Sequence, residues 1–225
     1  MYTPKAVRWY LKNMFPHPVT EILLGLLIIG TWYTLTDATR FGLYEFVVVV
    51  EIIFLPIYGV LIASHLFRST RVTLFELSLF NGPENVFVGR LTASFLGLLI
   101  GVSLVSLVSY FHGYSELVTP ILLKIPTYLS IMMTLMTWLD FLGGTLSFYI
   151  LTSAVPMALL ILLSKPYPSS LVVTLVAYVL APIGATVKVA KLTLSAQTGY
   201  IIAFAISLFL LVFSYNVFRR KDFRP

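Results

Sequence analysis

The sequence predicts an all-α, polytopic membrane protein with about six spanning helices, and three observations support that prediction. Hydrophobic residues make up 59% of the 225 residues, charged residues only 11%, and the mean hydropathy is +0.95. A soluble domain typically has about 25% charged residues, so this deficit excludes a globular surface. The apolar residues also form runs close to the roughly 20 residues that a spanning helix needs. They lack the period-2 alternation that a membrane β-barrel requires.

Seven apolar stretches are candidates for the spans, and the charges at the chain ends limit how many of them cross. They cover residues 19–36, 43–66, 91–111, 120–139, 145–163, 169–187 and 199–218. Both ends of the chain are basic, and the positive-inside rule places both in the cytoplasm. The residues concerned are Lys5, Arg8, Lys12, Arg219, Arg220, Lys221 and Arg224. An even number of crossings follows, so we expect six spans and one stretch that does not cross.

Two assignments fit six crossings. In the first, residues 120–139 are a re-entrant or externally packed segment. In the second, residues 169–196 are an outer hairpin broken at Pro182-Ile183-Gly184. The first is favoured because it places one more basic residue, Lys165, in the cytoplasm. Backbone at membrane depth that does not cross must be buried in protein or line a water-filled cavity, so either assignment implies an outer feature near a substrate path.

The chain has three predicted parts and no visible repeat or linker. Residues 1–18 are expected to be a cytoplasmic amphipathic helix in the membrane interface, because Lys5, Arg8 and Lys12 recur at helical spacing. Residues 19–218 form one transmembrane domain, and residues 219–225 form a basic cytoplasmic tail. The net charge of +6 lies beside apolar runs, which indicates topology signals and lipid contacts and not nucleic-acid binding.

Residues 67–90 are the longest charged interruption of the apolar chain. Thr73 and Glu76 have the S/T-x-x-E spacing of a capping box. Asn81-Gly82-Pro83 is a helix stop, and Pro83 is also a good first residue for the next helix. We therefore expect a short cytoplasmic helix over residues 73–80, between the second and third spans.

The predicted helix carries an apolar stripe. Val72, Phe75 and Leu79 share one face at helical spacing. A solvated connection between two spans needs no such face, so the stripe indicates a partner groove.

The same segment resembles that of type 2 ABC transporter permeases. In that family a charged segment after the second span commonly reads Glu-Leu, then Pro, then Gly-Lys or Gly-Arg before the third helix. This chain has Glu76-Leu77, Gly82-Pro83 and Gly89-Arg90 at those places. Ser164-Lys165-Pro166 resembles the family's junction between spans four and five, and the basic segment 218–223 resembles its tail.

The resemblance implies a transport subunit, not an enzyme. The short helix and the amino-terminal helix would dock on a separate P-loop ATPase, which holds ATP and Mg, and two permease chains would form the exporter in the plasma membrane as a homodimer or heterodimer. The chain itself has no G-x-x-x-x-G-K-[ST] motif for nucleotide. The ATPase-coupling residues that the resemblance implies are Arg71, Phe75, Glu76, Leu79, Pro83 and Arg90.

Other features have weaker functional meaning. Glu51 and Asp140 lie in or beside apolar runs, where a carboxylate is a functional candidate by default. Gly97 and Gly101 form a small-xxx-small pair that allows close helix packing, inside the chain or between subunits. Without cysteine and with three scattered histidines, the sequence predicts no metal site.

Two alternatives remain open at this point. A secondary transporter would use Glu51 or Asp140 as its coupling carboxylate, but it would favour internal repeats, and none is visible. A membrane scaffold that transports nothing is the other.

Overall fold

The structure, a computed structural model, describes residues 3–14, 18–36, 42–67, 70–163, 170–187 and 194–221. Every regular element in this part of the chain is helical, which confirms the all-α class. The α-helices are Thr3–Met14, Pro18–Thr36, Gly42–Phe46, Leu55–Ser64, Thr70–Leu79, Pro83–Phe111, Val118–Trp138, Phe141–Tyr149, Val155–Leu163, Leu171–Leu180, Pro182–Val187 and Ala196–Arg220. Two π-helical segments, Val47–Phe54 and Ile150–Ala154, and the 3₁₀ turn Ser115–Leu117 complete the described elements.

In the described part of the chain, six continuous helices are long and apolar enough to cross a membrane, as predicted. Spans 1 to 6 are Pro18–Thr36, Leu43–Ser64, Pro83–Phe111, Ser115–Trp138, Phe141–Leu163 and Ala196–Arg220. Six crossings return the chain to the side on which it started. We call this the terminal side and the other the far side. Which of them faces the cytoplasm stays a prediction.

The favoured choice of the stretch that does not cross is wrong. Ser115–Trp138 is a helix of 24 residues that can span, whereas the later region is split into Leu171–Leu180 and Pro182–Val187, as the second assignment has it. We call these two short helices the hairpin. The count of basic residues misled because a single residue, Lys165, separated the two assignments. Lys165, on which that count turned, lies outside the described residues, as do the 164–166 junction and residues 222–225.

Each π-helical segment lies just before a proline. The first, Val47–Phe54, precedes Pro56, and the second, Ile150–Ala154, precedes Pro156. The Leu55 N–H donates to the carbonyl five residues back, at Val50. A proline lacks the N–H for a normal helical bond and its ring crowds the preceding turn, so a wider turn accommodates it. The two π segments are therefore how the backbone adapts to Pro56 and Pro156.

The N-terminal helix, Thr3–Met14, packs along the terminal-side half of span 3. Its buried stripe is Ala6, Tyr10 and Met14, while the basic residues Lys5, Arg8 and Lys12 are exposed. Glycines on span 3 permit the approach: a Cβ on Gly89 would lie 2.8 Å from that of Ala6, and one on Gly97 would lie 3.0 Å from the Met14 sulfur.

Gly101, the second glycine of the predicted pair, meets a different neighbour. A Cβ there would overlap the ring of Tyr58 in span 2, whose hydroxyl donates to the Gly97 carbonyl at 2.7 Å. Both glycines of the small-xxx-small pair therefore face neighbours within the chain.

We expect Gly101→Ala to destabilise the bundle, because the new methyl group overlaps Tyr58 and overpacking costs about 1–3 kcal/mol. Gly25→Ala in span 1 is the matched control, since a Cβ there meets nothing within 4 Å. Thermal unfolding in detergent measures both variants. Equal midpoints for the two variants would contradict the close contact between spans 2 and 3.

Candidate functional site

The segment between spans 2 and 3 forms one helix, Thr70–Leu79, which we call the connecting helix. Its predicted stop is confirmed: Asn81 and Gly82 have positive φ values of 57° and 116°, and the Gly82 N–H donates to the Leu77 carbonyl at 2.9 Å. Pro83 then opens span 3. This arrangement satisfies carbonyls that the helix end leaves free.

The predicted start of this helix is wrong. The helix begins at Thr70, so Thr73 lies inside it and is not a cap. Instead the Thr73 hydroxyl accepts a hydrogen bond from Arg90 in span 3 at 3.3 Å. The S/T-x-x-E spacing has another cause here, because residues three apart on a helix share a face and both bind the same guanidinium.

The connecting helix has an exposed apolar face and a buried polar one. Val72, Phe75 and Leu79 are 37%, 59% and 44% exposed, as the stripe predicts. Arg71, also among the predicted coupling residues, is exposed beside them. Glu76 points the other way and is fully buried. Of the six predicted coupling residues, three are exposed and two are buried behind them, while the sixth opens span 3: these are Arg71, Phe75 and Leu79, then Glu76 and Arg90, then Pro83.

Glu76 and Arg90 form the centre of the buried group. The Glu76 Oε2 accepts from Arg90 Nε at 3.1 Å, from Arg90 Nη2, and from the Tyr10 hydroxyl at 3.0 Å. Arg90 Nη1 donates to the Met136 sulfur at 3.2 Å. We call these four residues together with Thr73 the anchor cluster. It joins the N-terminal helix, the connecting helix and spans 3 and 4 at a single ion pair.

Tyr10 is held as a hydrogen-bond donor in this cluster. Burial raises the pKa of Tyr10 well above its ordinary value, although Arg90 acts in the opposite direction. The phenol therefore stays protonated at any physiological pH and can donate to the carboxylate. Its ring packs against Trp9 and Phe80 at centroid distances of 5.0 and 5.9 Å.

A second buried ion pair lies between spans 2 and 4. Lys124 Nζ and Glu51 Oε1 are 2.7 Å apart, and both side chains have no solvent exposure. The Tyr128 ring lies one turn after Lys124, with its centroid 5.2 Å from Nζ. An isolated charge at this depth would be very costly, so each side chain supplies the partner that the other needs.

The same two side chains bind the break in the hairpin. Lys124 Nζ donates to the Leu180 carbonyl at 2.7 Å, at the end of the first short helix. Glu51 accepts from the N–H groups of Ile183 at 3.2 Å and Gly184 at 2.6 Å, at the start of the second. A cation therefore meets a helix C-terminus and an anion meets a helix N-terminus, the polarity that the helix dipoles favour. We call Glu51, Lys124 and these three backbone groups the hairpin clamp.

Asp140, the other candidate intramembrane carboxylate, has a local role. It is exposed in the short turn between spans 4 and 5 and caps the next helix by accepting from the Gly143 N–H at 3.4 Å. Both oxygens of Glu51 are bound to Lys124 and to backbone amides. Glu51 is therefore not free to act as the coupling group of a secondary transporter in this conformation, and Asp140 lies exposed in a turn and not inside the bundle.

Sequence reasoning missed Lys124 and Tyr10. A lysine inside an apolar run was itself a signal, since such residues are functional candidates in spans. Tyr10 gave none, because nothing local pairs a tyrosine with a carboxylate in another helix. Within the residues that the structure describes, no three His, Asp or Glu side chains are grouped as metal ligands would be.

Comparison with known proteins adds no identification: no family model matches the chain, and neither does any curated protein.

We expect Lys124→Met to cost about 3–5 kcal/mol of stability, because it leaves the Glu51 charge buried without its partner. Glu51→Gln together with Lys124→Met should recover most of that loss, since no unpaired charge then remains. The measurement is denaturant unfolding in detergent. Arg219→Met is the control, because its pair with Glu84 is exposed and such pairs contribute about 1 kcal/mol or less. A double variant as unstable as Lys124→Met would contradict the buried pair.

Tyr10→Phe should loosen the N-terminal helix, because it removes one hydrogen bond to a buried carboxylate, worth about 1.5–3 kcal/mol, and keeps the ring contacts. Limited proteolysis of the N-terminal helix and thermal unfolding measure the effect. Tyr33→Phe is the matched control, since that side chain is 65% exposed on span 1. The same protease resistance in both variants would exclude a role for the hydroxyl in docking this helix.

Proposed function

We propose that this multi-pass membrane protein is the membrane-spanning permease subunit of an ATP-driven ABC exporter. In this proposal a separate P-loop ATPase subunit binds ATP and Mg and docks on the terminal side. A second permease chain, identical or related, completes the transporter in the plasma membrane, with the terminal side in the cytoplasm.

The observation that carries the proposal is the connecting helix with its two unlike faces. The helix is too short to span, yet Phe75, at the centre of its apolar stripe, is 59% exposed. Spanning helices expose such residues to lipid, but this helix is not a span and joins the terminal-side ends of spans 2 and 3. An exposed apolar face in that position suits a protein partner.

The anchor cluster supports transmission of movement from such a partner. A push on the connecting helix acts on Glu76, whose carboxylate is bound to Arg90 in span 3. Through Tyr10 the same carboxylate is bound to the N-terminal helix. Buried, hydrogen-bonded contacts between packed helices carry displacement because their interiors are dense and poorly compressible. In this proposal Glu76 and Arg90 affect coupling by fixing the position of the connecting helix. The exposed residues Arg71, Phe75 and Leu79 contact the ATPase.

The substrate would pass on a path lined by the spans, driven by closure of the ATPases. The net charge of +6 and the basic residues exposed on the N-terminal helix fit a location beside anionic lipid headgroups. Nothing in this proposal requires a cofactor on the chain itself.

Phe75→Asp should abolish pairing with the ATPase while the chain still inserts into the membrane, because a charge replaces the centre of the stripe. The measurement is co-purification of a P-loop ATPase with this chain from native membranes, followed by ATP-dependent transport. Ser78→Asp is the matched control, since it adds the same charge to an exposed position of the same helix outside the stripe. Normal ATP-dependent transport by Phe75→Asp would show that the apolar stripe of the connecting helix does not couple the chain to the ATPase.

Glu76→Arg is a poor test of pairing with the ATPase, because Glu76 is buried behind the exposed stripe. The substitution would bury a second guanidinium beside that of Arg90. It would also remove the carboxylate that neutralises Arg90, so we expect misfolding and loss of the purified chain. A folded Glu76→Arg protein that still binds the ATPase would show that the anchor cluster is dispensable.

A further inference from the structure

We propose that the hairpin clamp is a latch: the Glu51–Lys124 pair seats the hairpin in the bundle, and the hairpin is released as a unit when that pair separates. The inference rests on the proposed function only in taking release to be part of a transport cycle. The latch itself is a property of this chain alone.

The first support is the depth of the clamp. At 1.5 Å per residue, Glu51 and Lys124 lie roughly 12–14 Å along their helices from the far-side ends of spans 2 and 4. The hairpin break meets them at that depth, although the hairpin lies between spans 5 and 6 and its helices, with ten and six residues, are too short to cross. The hairpin therefore enters the bundle from the far side and ends at the ion pair.

The second support is how the break is satisfied. Where a helix is interrupted, the last carbonyls and first N–H groups lose their partners. Pro182 removes one N–H, and Glu51 takes the next two, at Ile183 and Gly184. Lys124 takes the Leu180 carbonyl. The pair thus replaces backbone bonds that the break removed, and the hairpin cannot leave without exposing them.

The third support is a close backbone approach at Gly184. A Cβ at that position would overlap the Leu160 side chain and would lie 3.3 Å from Glu51 Oε2. Glycine at this position lets the second short helix lie close to both span 5 and the carboxylate. The site that holds the hairpin is therefore defined by close packing as well as by charge.

Two features indicate that the seated arrangement is one of two states. The Tyr128 hydroxyl is buried and has no hydrogen-bond partner among the described residues, a cost that a rearrangement near Lys124 can remove. Glu51 itself lies in the π-helical segment Val47–Phe54, a backbone form that is rare and frequent at functional sites.

The test uses a cysteine reporter on the hairpin. The chain has no cysteine, so Ala185→Cys introduces a single thiol at a position with no exposure in the seated state. The full chain in lipid nanodiscs is treated with a membrane-impermeant maleimide, and labelling in denaturant gives the maximum. With the clamp intact, we expect slow labelling.

Glu51→Gln and Lys124→Met should each raise the labelling rate about tenfold or more, which corresponds to ~1.4 kcal/mol in the opening equilibrium. The exchange Glu51→Lys with Lys124→Glu is the sharpest variant. It keeps an ion pair between spans 2 and 4 but turns the wrong charge to each end of the break. A latch predicts fast labelling in the exchanged protein, whereas a pair that only joins the two spans predicts the original slow rate.

Gly184→Ala covers the case in which the charge variants do not fold, because it keeps both charges and fills only the close contact. It should also speed labelling, with Gly25→Ala as the control that adds a methyl group in open space. Unchanged labelling in Gly184→Ala, or slow labelling in the exchanged protein, would overturn the latch.

A second arm separates this inference from the proposed function. Addition of the partner ATPase with ATP should speed labelling of the protein with an intact clamp. If the clamp variants label fast but ATP has no effect, the latch stands and the transport role loses support. If ATP speeds labelling but the clamp variants do not differ, the latch is overturned and the transport role stands.

Discussion

The absence of water inside a membrane is the constraint on which the rest of this structure depends. Every buried charge and every backbone group freed at a helix break must find its partner within the chain. Two buried ion pairs among the described residues supply such partners: Glu76 with Arg90, and Glu51 with Lys124. Each of them holds a helix that does not cross: one fixes the connecting helix on the terminal side, and the other fixes the hairpin from the far side. Charge therefore helps to place the connecting helix and the hairpin, in addition to joining spans 2 and 4.

Buried ion pairs of this kind define position more than they add stability. The desolvation of two charges offsets much of their attraction, and well-packed apolar residues in the same place are often as stable. An apolar contact, however, tolerates a shift by one residue or one helical turn. A carboxylate that accepts from two particular backbone N–H groups, as Glu51 does from Ile183 and Gly184, does not. Span 4 takes part in both sites, through Met136 near one end and Lys124 nearer the other. It is also the most buried of the six spans, and it links the two sides of the molecule.

Local signals in the sequence predicted much of this arrangement. Composition and run length were enough for the class, parity of charge for six crossings, and Asn81-Gly82-Pro83 for the end of the connecting helix. The exposed stripe followed from helical spacing alone. What failed depended on partners distant in sequence. Lys124 was missed because its carboxylate partner lies in another span, and Thr73 was assigned as a cap because no local signal pairs it with Arg90. A sequence shows which residues are charged, but not which charges meet.

Because of the π-helical segment before Pro56, the hairpin clamp depends on the number of residues in span 2. In such a segment each backbone hydrogen bond spans five residues instead of four, so each hydrogen-bonded loop encloses one more residue than in an α-helix. Removal of a single residue between Phe46 and Pro56 would allow ordinary helical bonding, but it would also turn Glu51 by about 100° around the helix, away from Lys124. Substitutions on the lipid-facing side of this segment can be absorbed, and an insertion or deletion cannot. The spacing of residues along span 2 is therefore as much a part of the clamp as the two charges are.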